Sequence, residues 1–258
     1  MTAPVLPRSD APPRRPAIDR TVAARLAATE YARCADQLTQ LEPGHWTVPT
    51  VNTGWDVRDT VGHMLGMLQM AGSLRHFMSQ QAVAMRDARR AKAPVSIDAL
   101  TALQVRRNAG LTTTGLIEAW RRFAPKAVRG RHRLSSLLGR RTLPEAQLVN
   151  GQLERWTFGF LLDVILTRDP FMHRLDIAAA TGIAPVATPE HEGHLVADVV
   201  REWAARHGQP YTLELSGPAG GVWEAGGREP IRLDALDFCR IVSGRGDATG
   251  LLTVAVPF

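Results

Sequence analysis

The residues of this 258-residue chain best suited to chemistry are histidines and the acids near them. His63 stands in Asp59-Thr-Val-Gly-His63-Met-Leu-Gly66, flanked by Gly62 and Gly66 inside an apolar stretch. Glycines weaken a helix, so here they make room for a neighbouring helix or a ligand. His173 stands in Arg168-Asp169-Pro170-Phe171-Met172-His173-Arg174-Leu175-Asp176. Asp169 and His173 are spaced i, i+4, which on an unbroken helix puts a carboxylate and an imidazole on one face. With His63 from another helix they would give three protein ligands, leaving positions open to water or substrate, as a catalytic metal requires. Each residue also has a plainer reading. His63 could be a satisfied core histidine. Asp169-Pro170 could be a helix start, with Asp at the N-cap and Pro in the first turn. Asp163 could face solvent, and Asp176 could pair with an arginine or orient an imidazole.

Bringing these groups together requires two helices side by side. Val57, Val61, Met64, Leu65 and Leu68 recur at helical spacing after Asp56, and Asp59 gives an acidic first turn. The pattern predicts one helix over 56–89. Residues 156–181 are strongly apolar and predict a helix buried on more than one side, with a stop at Gly182. A first helix is expected over 18–41, ended by Pro43-Gly44. Pro94 breaks the pattern and Ser96 is read as the cap of a third helix. That helix is interrupted at Gly110, resumes at Leu116 and fades past Pro125. A further amphipathic helix is expected over 189–207. Beyond Gly208 the period changes to alternation at 211–216 and 231–233, with a short helix over 234–242 and a β-rich run over 251–256. The expected organisation is a disordered Pro-rich tail over 1–16, a helical domain over 17–185 and a small α/β domain over 186–258.

Composition narrows the function classes. Only Cys34 and Cys239 are present, which excludes a disulfide scaffold. No apolar run approaches the length of a membrane span. The amino terminus lacks the apolar core of a secretory signal, so a cytoplasmic location is expected. Of the 31 basic residues all but Lys92 and Lys126 are arginine, the mark of a GC-rich genome, and the net charge of +6 is too mild to argue for a nucleic-acid partner. Residues 121–141 concentrate positive charge without an acid. They read as a solvated helix end or as an anion-binding patch.

Taken together, three segments resemble the mycothiol-dependent maleylpyruvate isomerase family. They are Trp46 to His63, with Gly54-Trp55 and Asp56-Val-Arg-Asp59 before the histidine; Arg168 to Asp176; and, more weakly, Ser243-Gly-Arg245. The resemblance covers most of residues 18–258. It implies a mainly α fold, a DinB-like four-helix bundle followed by a small α/β domain. It implies a divalent metal, zinc or another ion suited to two histidines and a carboxylate, bound by His63, His173 and an acid one turn earlier. In the family's isomerases that acid is glutamate; the matching position here is Asp169. The family chemistry uses mycothiol, a low-molecular-weight thiol of GC-rich actinobacteria, held as thiolate for isomerisation or for transfer to an electrophile. The expected partners are therefore a small-molecule thiol and an electrophilic substrate. Arg245 would reach the pocket from the second domain to bind a substrate carboxylate or the cofactor, or would simply be a turn residue. Because Pro170 and the shorter Asp169 could mark a decayed site, the competing expectation is a non-catalytic ligand-binding or regulatory protein on the same bundle.

Overall fold

The computed structural model describes residues 11–91 and 97–258. Most of the expected tail, together with Pro94 and Ser96, lies outside the described residues. The chain divides into two compact units, one comprising Pro12–Gln147 and Arg155–Pro185, the other gathering Leu148–Glu154 and Val186–Phe258. The architecture is mainly α.

The first unit is a four-helix bundle with two further helices packed against its side. α1 (Arg20–Thr39) starts where the Asp19 carboxylate accepts the N–H groups of Thr21 and Val22. α2 (Val57–Gly72) starts where Asp56 accepts the N–H of Asp59. The predicted helix over 56–89 is in fact two. Ser73 takes extended dihedrals, and α3 (Leu74–Ala91) leaves in a new direction. The break falls where two helices come into close contact. A Cβ on Gly130 would lie 2.0 Å from Ala71 O and one on Gly72 would lie 3.0 Å from Lys126 Cβ. α2 therefore ends in close backbone contact with α5 (Thr113–Leu138). α4 (Ile97–Asn108) lies beside α2 and α3. α5 does not fade at Pro125 but runs on to Leu138. Pro125 is exposed, so the carbonyl it leaves without an N–H partner can turn to water. The core joins Leu38, Trp46, Val57, Val61, Leu65, Leu68, Leu116 and Trp120. Each large apolar side chain buried there contributes roughly 2 kcal/mol of transfer free energy.

The fourth helix is α6 (Leu166–Thr181), preceded without interruption by a π-helical segment, Phe160–Ile165. Two features disturb its hydrogen-bond ladder. In the wide turn Leu166 N–H bonds to Leu161 O, bypassing Leu162 O. Pro170 has no N–H to give to Leu166 O. Both stray carbonyls are taken by Arg131 of α5, 3% exposed in an otherwise strongly basic stretch. Its Nε and Nη2 donate to Leu162 O at 2.9 and 2.6 Å, and its Nη1 donates to Leu166 O at 2.7 Å. Nη1 also donates to the Tyr31 hydroxyl at 2.7 Å and Nη2 to Thr167 Oγ1. The other cations of this stretch, Arg121, Arg122, Lys126, Arg129, Arg133, Arg140 and Arg141, are exposed, as a solvated helix end predicts. Asp163, read as solvent-facing, is instead buried and accepts from the Ser135 hydroxyl. Its burial raises its pKa.

Part of the expected tail is fixed. Arg14 N–H donates to Arg155 O and Arg14 O accepts from Thr157, which ties residues 12–16 to the start of the fourth helix.

The second unit carries a hairpin that the sequence pattern did not reveal, β1 (Gln147–Val149) and β2 (Gln152–Glu154). Asn150 and Gly151 both take positive φ in its turn, the geometry of a tight two-residue hairpin. Arg206 of α7 (Glu192–His207) bonds Glu154 at 2.7 Å and Glu202 at 2.6 Å. β3 (Tyr211–Ser216) is flanked on both sides by β4 (Gly221–Asp234). Leu213 lies opposite both Trp223 and Ile231, and Leu215 opposite Gly221 and Leu233. β4 thus folds back around β3, and its second limb runs parallel to it. α8 (Ala235–Val242) follows, N-capped by Asp234. The β-rich run at the end is a 3₁₀ turn, Gly250–Thr253, whose Leu251 O accepts from Trp203 Nε1 at 3.0 Å. Among the described residues, no helix is long and apolar enough to cross a membrane.

Replacing Arg131 by methionine keeps the volume but strands the two carbonyls. The expected loss is on the order of 3 kcal/mol of stability, read from urea unfolding, with no rescue by lysine, which lacks the planar fork.

Candidate metal centre

α2 and α6 present His63, Asp169 and His173 to one another. His63 Nε2 lies 3.8 Å from Asp169 Oδ1, and His173 Nε2 lies 3.5 Å from the same oxygen. The ligand atoms all lie within 4.8 Å of one another. The two imidazoles meet edge to face, centroids 5.2 Å apart and planes at 83°. Ligands at about 2.1 Å in a tetrahedral site are roughly 3.4 Å apart, so the two histidine–aspartate distances are within a few tenths of an ångström of those around a small divalent ion. Both histidines are buried, while the Asp169 side chain keeps 20% of its exposure, which leaves an approach from solvent.

Asp169 does not start a helix. The chain is helical from Phe158 through Thr181, so Asp169 sits well inside it and its carboxylate is turned to the histidines instead of to backbone N–H groups. The carbonyl that Pro170 frees is not offered to the site; Arg131 occupies it.

Each histidine is held from behind. His173 Nδ1 lies 3.1 Å from Asp176 Oδ2, and Asn52 Nδ2 donates to the same oxygen at 3.2 Å. Asn52 and Trp55 belong to the loop before α2, closed by Thr50 N–H donating to Trp55 O at 2.9 Å. The Trp55 ring covers His63 with centroids 5.3 Å apart. His63 Nδ1 lies 2.8 Å from Gln104 Oε1 on α4. A histidine whose Nδ1–H is engaged presents Nε2 as the free lone pair, as ligation requires.

The glycines around His63 admit this support. A Cβ on Gly66 would fall 2.5 Å from Gln104 Cβ, and one on Gly62 would meet Asn108 Cβ at 3.6 Å. Asn108 Nδ2 in turn donates to Gly62 O at 2.8 Å. The neighbour for which they make room is therefore helix α4. Gln104, Asn52 and Arg131 were missed from sequence. The available signal was a glutamine beside Leu103 on a buried stripe.

The electrostatics are those of a tight cluster. Burial alone would lower the His173 pKa, but the Asp169 charge and hydrogen bond, followed by those of Asp176, raise it to about 9. Burial would raise Asp169, but His173 and then His63 hold it far below the usual carboxylate range. Asp169 also borders a small hollow whose other walls include Tyr31, Met64, Leu68, Trp120 and Pro170, a low-dielectric side to the cluster. Arg245 lies in the other unit, on the turn after α8, where its N–H donates to Arg240 O at 2.8 Å.

A family model described as the mycothiol maleylpyruvate isomerase N-terminal domain matches residues 25–178, which contain His63, Asp169 and His173. Among solved structures, the chain is similar to a crystal structure of a mycothiol-dependent maleylpyruvate isomerase, at 15% identity and a TM-score of 0.50, covering 89% of this chain and 90% of that one. A structure of a mutant of such an isomerase follows at 14% identity and a TM-score of 0.48, with the same coverage. No curated protein matches the chain.

In protein stripped of divalent ions, protonated His173 contributes stability because its folded pKa exceeds the ordinary value of 6.5. That contribution is complete below pH 6.5 and is lost as pH rises through about 9. The thermal midpoint of the stripped parent should therefore fall between pH 7 and 10 by more than that of His173→Asn, measured by calorimetry.

Proposed function

We propose, from the premise that this chain belongs to the mycothiol maleylpyruvate isomerase N-terminal domain family, that it is a metal-dependent enzyme acting with a low-molecular-weight thiol. The observation that carries this reading is the convergence of His63 Nε2, Asp169 Oδ1 and His173 Nε2, with both Nδ1 atoms engaged by acceptors. The donor set suits zinc, and two nitrogens with one carboxylate also suit iron(II), nickel or manganese. A bound ion of this kind would supply Lewis acidity that keeps a thiol as thiolate near neutral pH.

The chain's own groups would do the rest. His63 and His173 offer neutral nitrogen donors, and Asp169 offers one negative charge. Asp176 accepts the Nδ1–H hydrogen bond of His173 and fixes its ring. Trp55 and the apolar wall beside Asp169 keep water away from one side of the cluster, which strengthens every electrostatic contact there. We assign the thiol as mycothiol or a close analogue and the second substrate as an electrophile. The thiolate adds to an activated double bond, the bond rotates and the thiolate leaves. Where the adduct instead takes up a proton from water before the thiolate can leave, the outcome is thiol transfer. Pro170 does not argue for a decayed site, because Arg131 compensates the helix at that point. Arg245 is assigned to a substrate carboxylate or to the cofactor. A cytoplasmic location fits the two cysteines, both buried and both retaining their thiols.

Untagged protein purified without chelator should carry close to one divalent ion per chain by elemental analysis. His63→Ala and His173→Ala should each lose it. Full retention in both variants would sink the site. Given mycothiol and an electrophile with an activated double bond, the loaded parent should turn over. Arg245→Ala should keep its metal and raise KM by roughly 10-fold, the scale of one lost charged hydrogen bond. An unchanged KM would return Arg245 to the role of a turn residue.

A further inference from the structure

The hydrogen bonds behind His63 form a chain with a fixed direction. Gln80 of α3 is fully buried, and its Nε2 donates to Gly66 O at 3.1 Å. A backbone carbonyl can only accept, so the amide end of Gln80 must face it. Gln80 Oε1 is then left to accept, and Gln104 Nε2 donates to it at 2.9 Å. Gln104 Nε2 also points at Met67 Sδ, 3.0 Å away, which again can only accept. Gln104 Oε1 therefore faces His63 Nδ1, and the proton between them must come from the ring. The polarity is set at Gly66, on the same helix as His63 and less than one turn further along.

We propose that Gln104, oriented by Gln80, is a positioning residue that fixes His63 as its Nδ1–H tautomer, with the Nε2 lone pair turned to Asp169 and His173. Its use by a cation rests on the metal reading above; the tautomer itself does not. The two histidines are thus oriented by different means. His173 is backed by a carboxylate, whereas His63 is backed by a neutral amide. A glutamine amide is symmetric enough to flip, and both of its ends would find His63 Nδ1 acceptable in some protonation state. Gln80 removes that freedom. Gly66 is part of the same device, because any side chain there would collide with Gln104.

The test uses full-length protein labelled with 15N-histidine, stripped of metal and held at a pH where the His63 ring is neutral. His63→Gln assigns the signal. The expected spectrum shows Nε2 as the unprotonated nitrogen in the parent. Gln104→Leu and Gln80→Met should each give a tautomer mixture, Gln80→Met by freeing the Gln104 amide to rotate. Gln104→Glu should restore the single tautomer. Zinc affinity, measured against a chromogenic chelator, should fall roughly 10–100-fold in Gln104→Leu and recover in Gln104→Glu. A protonated Nε2 in the parent, or one unchanged tautomer in both Gln104→Leu and Gln80→Met, would overturn the proposal. If Gln104→Leu does not fold, Gln80→Met carries the same readout from a position with no contact to the ring. A parent that takes up no zinc would refute the metal reading alone, since the nitrogen spectra would still decide the relay.

Discussion

A helix that carries a proline in its buried interior must find other donors for the carbonyl that the proline leaves. Here that helix supplies Asp169 and His173, so the candidate site depends on how this demand is met. Arg131 meets it from across the bundle. Its guanidinium serves Leu162 O and Leu166 O together and reaches Tyr31 and Thr167 as well. A lysine could not span these acceptors, because one ammonium is a point and the acceptors are spread over more than one turn. With those carbonyls served, the backbone stays helical from the π segment into α6. Asp169 and His173 consequently remain at i, i+4 and point the same way.

The same economy of backbone governs α2. His63 lies between two glycines that would normally weaken a helix, and the structure uses both gaps for polar side chains of α4. Gln104 and Asn108 lie against the α2 backbone, closer than any Cβ at Gly66 would allow. The loss of helix propensity is offset by hydrogen bonds to Gly62 O and by the support given to His63. Two helices with disturbed local preferences therefore meet at one point, α2 supported by Gln104 and Asn108 of α4 and the other by Arg131 of α5. Departures from local rules gathered in this way are characteristic of functional sites.

The cluster is held by charge pairing between its imidazoles and carboxylates. Asp169 lies between the two imidazoles, 3.8 Å from His63 and 3.5 Å from His173, and Asp176 lies nearer still to His173, at 3.1 Å on its other nitrogen. Raising His173 to about 9 and depressing Asp169 are two faces of one attraction. A divalent ion among the three ligand atoms would replace the proton on His173, which links occupancy to pH. Family membership and this geometry converge on the same reading, although they rest on different observations: one on the match over residues 25–178, the other on distances between side chains.

The sequence by itself determined which helices form and which residue types they bring. Apolar periodicity placed His63 on a buried stripe, and the i, i+4 spacing put Asp169 and His173 on one face. The resemblance tied these segments to a family. Local pattern could not decide whether Asp169 capped a helix or faced a ligand, because Asp-Pro satisfies the rules of a helix start and what overrides it is a π segment upstream, stabilised by an arginine 31 positions before Leu162. It could not separate α2 from α3, since the apolar repeat continues through a break that falls beside the contact with Gly130. Nor could it find Gln104 or Arg131, whose roles exist only where one helix meets another. Periodicity reports which face of an element is buried; the partner of that face, and the polar groups that must be satisfied there, belong to the tertiary structure because hydrogen bonds are short and directional while the residues they join are far apart in the chain.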